Sequence, residues 1–170
     1  WSATDIILME PCELSGHPYL MKLGPDVVIP ETTVTELVEH MNQKRFQRRR
    51  LKVLLLDQGF FAGIGNYLRS EVLFTSGLHP DRTVSSLSDD EKRSLAEQAL
   101  FLSRQSFDVP GITVDLEMYD KLRSFGQTRG QARHWVFTRN DMECHNCNSL
   151  IIHTRPGGRR LDYCPQCQPE

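Results

Sequence analysis

The sequence predicts a mainly α-helical fold that closes on a small β-hairpin. Three observations carry that expectation. Capping residues stand ahead of stretches with helical apolar spacing, and a glycine-punctuated turn separates two such stretches. Four of the five cysteines fall in the last 27 of the 170 residues, as two C-x-x-C pairs. At 39% apolar and 25% charged, the chain has the make-up of a globular protein and not of a disordered or fibrous one. Its longest uninterrupted aliphatic runs, residues 6–9 and 53–56, are far short of the ~20 that a bilayer-spanning helix needs, so no membrane partner is expected.

Taken in order, the opening Trp1-Ser2-Ala3-Thr4-Asp5 has neither the basic start nor the apolar centre of a signal peptide. It reads like the middle of a strand and lacks an initiator Met, so the expectation is a chain whose natural beginning is missing. Pro30 ends an acidic linker. Thr32 or Thr33 then caps a helix towards Asn42, with Val34, Leu37, Val38 and Met41 on one face. Ser88-Asp89-Asp90-Glu91 is a capping box and opens a helix through about Ser106, with Leu95, Leu100 and Leu102 as core candidates. Pro110-Gly111 breaks that pattern. Residues 113–133 end in the basic segment Ser124-Phe125-Gly126-Gln127-Thr128-Arg129-Gly130, expected to be a mobile loop facing a ligand. The sequence contains no internal repeats.

The most informative stretch is Leu54-Leu55-Leu56-Asp57-Gln58-Gly59-Phe60-Phe61-Ala62-Gly63-Ile64-Gly65-Asn66-Tyr67-Leu68-Arg69-Ser70-Glu71. An apolar helix runs into Gly59, two tight turns follow around Gly63 and Gly65, and a second helix starts near Asn66. Glycines at such a junction allow positive φ and close backbone approach. Free N–H groups at the new helix's N-terminus make an anion site, and Asn66 adds a side-chain donor. By itself the stretch fits any phosphate-binding helix-turn-helix, and a plain N-cap is the alternative role for Asn66.

The net charge of −2 conceals a segregation. Residues 1–40 carry seven acids against one base, Lys22, whereas residues 41–170 carry nineteen bases against fifteen acids. Two windows hold no acid at all. Residues 41–56 contain six bases (Lys44, Arg45, Arg48, Arg49, Arg50, Lys52), and residues 121–140 contain five (Lys121, Arg123, Arg129, Arg133, Arg139). Each reads either as a phosphate-backbone footprint or as a solvated helix face.

Cys144-His145-Asn146-Cys147 and Cys164-Pro165-Gln166-Cys167 are separated by sixteen residues, the spacing of a structural four-thiolate zinc site. Each knuckle supplies two sulfurs from one tight turn, and a hairpin brings the knuckles together. Four thiolates leave no open coordination position, so one such ion holds structure, and its binding supplies folding free energy to a tail too small to fold alone. Redox dithiols, disulfides and an iron site are the competing assignments, although neither pair lies in a βαβ pattern of the thioredoxin kind. Cys12 reads as a small apolar residue. Between the knuckles, Leu150-Ile151-Ile152 is a strand, Pro156-Gly157-Gly158 a turn, and residues 159–163 return. Arg155, Arg159 and Arg160 are then at or beside a rigid basic tip suited to gripping phosphate, or a soluble turn decorated with arginine.

The string from Asp57 to Glu71 resembles the helix–two-turns–helix motif of the formamidopyrimidine-DNA glycosylase/endonuclease VIII family, and the four-cysteine finger resembles the same family in spacing and order. The first motif also occurs in a ribosomal protein and a topoisomerase, but the two in this order are specific. The resemblance covers essentially the whole chain. Trp1-Ser2-Ala3-Thr4-Asp5-Ile6 looks like the last strand of that family's N-terminal β-sandwich, and Lys22-Leu23-Gly24-Pro25-Asp26 like its interdomain linker. It implies four parts: a sandwich remnant over residues 1–14, a linker over 15–30, a helix–two-turns–helix domain over 31–132 and a zinc finger over 133–170. Val136-Phe137-Thr138-Arg139 looks more like the endonuclease VIII branch, which implies oxidised pyrimidines as substrates.

On that resemblance the full-length protein is a base-excision repair DNA glycosylase and AP lyase, working by β,δ-elimination on damaged or abasic double-stranded DNA. It would be a monomer in the bacterial cytoplasm, associated with the nucleoid. Asn66 takes the place of the asparagine that binds backbone phosphate beside the lesion. Arg159, five residues before Cys164, matches the finger arginine that grips phosphate and is assigned a role in δ-elimination. Lys22 stands where relatives can carry a DNA-contacting arginine, keeping the charge but losing the bidentate fork. Cys144, Cys147, Cys164 and Cys167 would bind one structural zinc ion. Family enzymes begin with Pro-Glu, whose proline amine attacks the sugar and whose glutamate assists acid/base steps. Neither is in this chain, so residues 1–170 alone are expected to bind DNA weakly and cut nothing. The rival from another class is a non-enzymatic zinc-ribbon module that binds nucleic acid for architecture.

Overall fold

The computed structural model describes residues 7–170. The expected strand at residues 1–6 lies outside them. Residues 7–10 have no regular structure, and Pro11–Gly16 forms a 3-10 helix in which Cys12 is exposed and not packed as a small apolar residue would be. A second 3-10 turn, Leu20–Lys22, leads into the linker.

Thr33 caps helix α1 (Val34–Met41), its hydroxyl accepting the Glu36 amide at 3.2 Å, and Leu37 and Met41 point into the core. Helix α2 is a single turn, Leu51–Leu54, shorter than the apolar run suggested. Its Val53 faces outward, and the chain then tightens through turns up to Gly59. Helix α3 (Asn66–Thr75) is central, with every residue from Leu68 to Phe74 buried. Helix α4 (Asp89–Asp108) opens with the expected capping box. Ser88 Oγ accepts the Glu91 amide at 3.2 Å, and Glu91 Oε2 accepts the Ser88 amide at 2.7 Å. α4 packs against both α1 and α3, burying Leu95, Ala96, Ala99, Leu100 and Leu102 in one continuous core with Leu37, Met41, Leu51, Phe60 and Val72.

Beyond Gly111, helices α5 (Leu116–Ser124) and α6 (Arg129–Ala132) follow. The basic glycine-rich segment is therefore not one open loop. Ser124 ends α5, and Thr128 opens α6 through a capping box with Gln131, because threonine and glutamine at that spacing satisfy each other's backbone partners. The hairpin turns at Pro156–Gly158 as expected, but its first strand starts two residues later than the sequence suggests. Strands β1 (Ile152–Thr154) and β2 (Leu161–Tyr163) pair antiparallel, with His153 opposite Asp162, while Leu150 bridges Glu143 instead of starting the strand.

A second, smaller core joins Phe74 at the end of α3 to Val136, Ile151, Cys144 and Cys164. The C-terminus is tied to the same helix end. Gln168 accepts the Cys164 amide at 2.9 Å and donates to the Leu78 carbonyl at 2.9 Å. The linker is laid along the turn that precedes α3, through Gly24 N to Gln58 O at 2.8 Å, Ala62 N to Pro25 O at 3.0 Å and Val27 N to Ala62 O at 3.1 Å. A Cβ on Gly24 would lie 2.5 Å from the Phe60 carbonyl oxygen, so only glycine permits this approach. No helix among the described residues is long and apolar enough to cross a membrane.

Candidate nucleic-acid interface

The turn between α2 and α3 is braced by its own side chains. Gln58 Oε1 accepts the Gly63 amide at 3.0 Å, and Gln58 Nε2 donates to the Ile64 carbonyl at 3.0 Å. Asp57 accepts the Gly59 amide at 2.9 Å and pairs with Arg49 at 2.7 Å. Burial tends to raise the Asp57 carboxyl, but the Arg49 hydrogen bond, the Gly59 amide and the nearby cations outweigh it and hold the group below the usual carboxylate range. Gly63 has φ +96°, which a side chain rarely adopts. Gly65 does not share that conformation. At φ −104° it is extended, and it is the N-cap of α3.

A glycine N-cap has no side chain to spend on the helix end, and no side-chain cap is made here. The first-turn amides of α3 are thus available to an anion, with the positive end of the helix dipole behind them. Asn66 is the first residue inside the helix and not its cap. Its Oδ1 accepts from Arg69 Nη2 at 3.0 Å, which leaves the amide nitrogen as the end it can offer to an acceptor.

Arg69 is the residue that sequence reasoning missed. It is 1% exposed, and its guanidinium joins three segments. Nη1 donates to the Lys52 carbonyl at 2.9 Å; Nη2 donates to Asn66, to the Arg160 carbonyl at 2.7 Å and to the Arg159 carbonyl at 3.4 Å. Burial and then the charge of Arg159 pull its pKa down to about 10, with Asp162 opposing them. The only available hint was an arginine three residues after Asn66, one turn along the same helix face.

The hairpin tip turns through Pro156–Gly158, where Gly157 and Gly158 have φ +60° and +78°. Below it, fully buried Asp162 accepts the Thr138 amide at 2.7 Å and Arg160 Nε at 2.6 Å, and lies 2.8 Å from His153 Nδ1. Arg160 is therefore turned inward to Asp162 and Asn140 and is not a tip residue. Arg155 Nε donates to His153 at 3.2 Å. Arg159 is exposed, and its side chain makes no hydrogen bond among the described residues. The structure thus brings Asn66 and the Arg159 backbone together through Arg69. Lys22 is exposed on its 3-10 turn and is placed against the bracing turn only through its backbone, its carbonyl oxygen lying 3.0 Å from the Cβ position of Gly59.

The sulfurs of Cys144, Cys147, Cys164 and Cys167 all lie within 4.8 Å of one another, Cys144 to Cys167 at 3.8 Å and Cys147 to Cys164 at 3.4 Å. A tetrahedron of sulfurs about 2.3 Å from a zinc ion has edges of about 3.8 Å, so donor set and spacing fit a closed structural ion. The Asn146 amide points at Cys144 Sγ (3.5 Å) and the Cys167 amide at Cys164 Sγ (3.4 Å), as in a knuckle that shares thiolate charge with its backbone. The Ser149 amide pulls the Cys147 thiol down to about 6, whereas burial pushes Cys164 and Cys167 up. Buried Arg139, donating to the Trp135 and Glu143 carbonyls, puts a positive charge beside Cys144.

Glu71, also unanticipated, fastens this finger to α3. Its buried carboxylate accepts the Trp135, Val136 and Phe137 amides at 2.7, 2.9 and 2.8 Å and the Thr113 hydroxyl.

Comparison with known proteins agrees with this geometry. The profile of the formamidopyrimidine-DNA glycosylase H2TH domain matches residues 23–117. Endonuclease 8 of Pectobacterium carotovorum is 34% identical over 168 residues, which cover 99% of this chain and 60% of that protein. Endonuclease 8 of Klebsiella pneumoniae is 34% identical over the same shares. The chain thus spans 60% of the length of these curated relatives. Among solved structures, Lactococcus lactis Fpg in complex with DNA containing an abasic site superposes with a TM-score of 0.74 at 22% identity, over 95% of this chain and 57% of that one. Thermus thermophilus MutM (Fpg) superposes with a TM-score of 0.71 at 30% identity, over 90% and 56%.

Proposed function

Because the chain belongs to the formamidopyrimidine-DNA glycosylase/endonuclease VIII family, we propose that it is the DNA-gripping portion of a base-excision repair glycosylase with AP lyase activity, working by β,δ-elimination. The carrying observation is the convergence of three features suited to holding phosphate. The uncapped N-terminus of α3, the Asn66 amide and the exposed Arg159 are joined through one buried guanidinium. A nucleotide to be excised must leave the base stack, and holding the flanking phosphates offsets part of that cost. In this role α3 and Asn66 take one phosphate oxygen, and Arg159, on its backbone-locked tip, neutralises the same or the adjacent phosphate. The negative charge left on the departing phosphate when δ-elimination breaks the C5′–O bond of the sugar would develop beside it.

Cys144, Cys147, Cys164 and Cys167 would hold one structural zinc ion that fixes the hairpin and takes no part in bond breaking. Lys22, next to the bracing turn, would add a point-charge contact to the backbone. We divide the chain as the resemblance suggests, with linker 15–30, helical part 31–132 and finger 133–170. Oxidised pyrimidines are the lesions that the endonuclease VIII-like stretch Val136-Phe137-Thr138-Arg139 suggests. Work on the bacterial chromosome in the cytoplasm, as a monomer, follows from the same reading. The amine nucleophile and its glutamate are not among residues 1–170, so this chain alone should bind but not cleave.

The test is binding to a short duplex carrying a tetrahydrofuran abasic analogue, titrated with salt, together with borohydride trapping on a natural abasic site. Arg159→Ala should weaken binding and lower the log–log salt slope by about one, because one charge contact is lost. Asn66→Ala should weaken binding with the slope unchanged, and no covalent adduct should form. Binding that is indifferent to both substitutions would overturn the assignment of the interface. A trapped adduct would overturn the inactivity of this chain.

A further inference from the structure

We propose that Arg69 is a positioning residue that sets which end of the Asn66 amide faces the DNA and locks Arg159 into the same site. This rests on the reading that Asn66 and Arg159 grip backbone phosphate. An asparagine side chain is nearly symmetric in shape but opposite in character at its two ends: the oxygen repels a phosphate, and the nitrogen donates to it. With Arg69 Nη2 3.0 Å from Asn66 Oδ1, the oxygen is claimed from within, and the amide is held in its donor orientation. The same nitrogen reaches the carbonyls of Arg160 and Arg159, about ninety residues away in sequence, so the helix end and the fingertip share one planar group. A guanidinium fixes these directions because its donors lie in one rigid plane. A lysine ammonium, with rotating donors on a flexible stem, would not.

The partners of Arg69 are neutral oxygens. The nearest acid, Asp162, is already occupied by Arg160, His153 and the Thr138 amide. The positive charge of Arg69 is thus buried without an ion pair of its own, next to a helix N-terminus and a second arginine. The pull of burial and of Arg159 on its pKa is what such an unneutralised cluster should show. A phosphate arriving at Asn66 and Arg159 supplies the missing negative charge.

A role limited to gluing the hairpin onto α3 makes different predictions from a role in orienting Asn66. The experiment measures binding of the full chain to the abasic-analogue duplex for wild type, Asn66→Ala, Arg69→Lys and the double variant, with metal content and thermal midpoint recorded for each. Positioning predicts that each single change weakens binding by about tenfold or more and that the double variant is no weaker than the worse single, because both remove one coupled device. It also predicts that Arg69→Lys shifts the side-chain amide resonances of Asn66 in a 15N spectrum. Asn66→Asp guards against a misfolded lysine variant. Its carboxylate should pair with Arg69 and raise the thermal midpoint, while binding falls by at least tenfold because no donor remains. Multiplicative losses in the double variant, or Asn66 amide resonances unmoved by Arg69→Lys, would overturn the inference. If wild type bound the duplex but Asn66→Ala had no effect, the inference and the role of Asn66 would fall together, with Arg159 still standing. If wild type did not bind at all, the interface itself would fall, and the resonances would separately confirm or refute the Arg69–Asn66 coupling.

Discussion

The carboxylate of Glu71 is held 2.9 Å from the amide nitrogen of Val136, inside the protein, and its direct partners are neutral donors, with the buried Arg139 the cation that feels its charge. The Trp135, Val136 and Phe137 amides and the Thr113 hydroxyl surround it, so the helix carrying Asn66 and the segment entering the finger are joined by one ring of donors on one acceptor group.

Glu71→Gln should therefore cost about 2–4 kcal/mol, because an amide nitrogen cannot accept and would meet backbone N–H groups donor to donor. Urea unfolding monitored by circular dichroism measures it. A loss below about 0.5 kcal/mol would mean that the donors find other acceptors.

Removing the metal should release the finger while sparing the helical core. Cys144 and Cys164 share a small core with Phe74, Val136 and Ile151, whereas the main core is built from α1, α3 and α4. A strong chelator, or Cys147→Ser, should abolish binding of the proposed zinc ion and the near-ultraviolet signal of Trp135, which stacks on Phe74 at 5.8 Å, and leave most helical ellipticity. Metal analysis of the folded wild type should give one zinc per chain; none would refute the thiolate site.

Acidification should destabilise the fold through His134. Burial, with help from Arg133, pushes this imidazole down to about 3 from its ordinary 6.5. Below pH 6.5 the unfolded chain takes up a proton that the folded chain refuses. The contribution is therefore fully present above 6.5 and is lost as pH falls towards 3, at about 1.4 kcal/mol per unit. Between pH 6.5 and 5 the loss is about 2 kcal/mol. His134→Gln should be less stable at pH 7 but should show a flatter pH dependence over that interval, with metal content monitored in parallel. Identical slopes in the two proteins would remove His134 from the account.

Features set by neighbours in sequence were legible from the sequence alone. Thr33 and the Ser88–Glu91 pair cap their helices as expected, because capping is a contest among groups three residues apart. The cysteine pairs carry their geometry in their spacing. Features set by docking were not legible. Arg69 and Glu71 look like the solvent-facing residues of a helix until the finger, contributed by the far end of the chain, covers them. Arg160 looks like a tip cation until Asp162 draws it inward. The first strand of the hairpin starts two residues later than its apolar run indicates because Leu150 is spent on a bridge to Glu143, a pairing that no local pattern announces.

The backbone contact at Gly24 limits where this molecule can flex. With the linker held by the amides of Gly24, Val27 and Ala62, and with no room there for even a methyl group, this stretch behaves as a rail bolted to the helical body. Any swivel of what precedes it has to be taken up at or before the 3-10 turn Leu20–Lys22. A shift of even one ångström along the rail would pull directly on Gln58 and hence on the loop that aims α3.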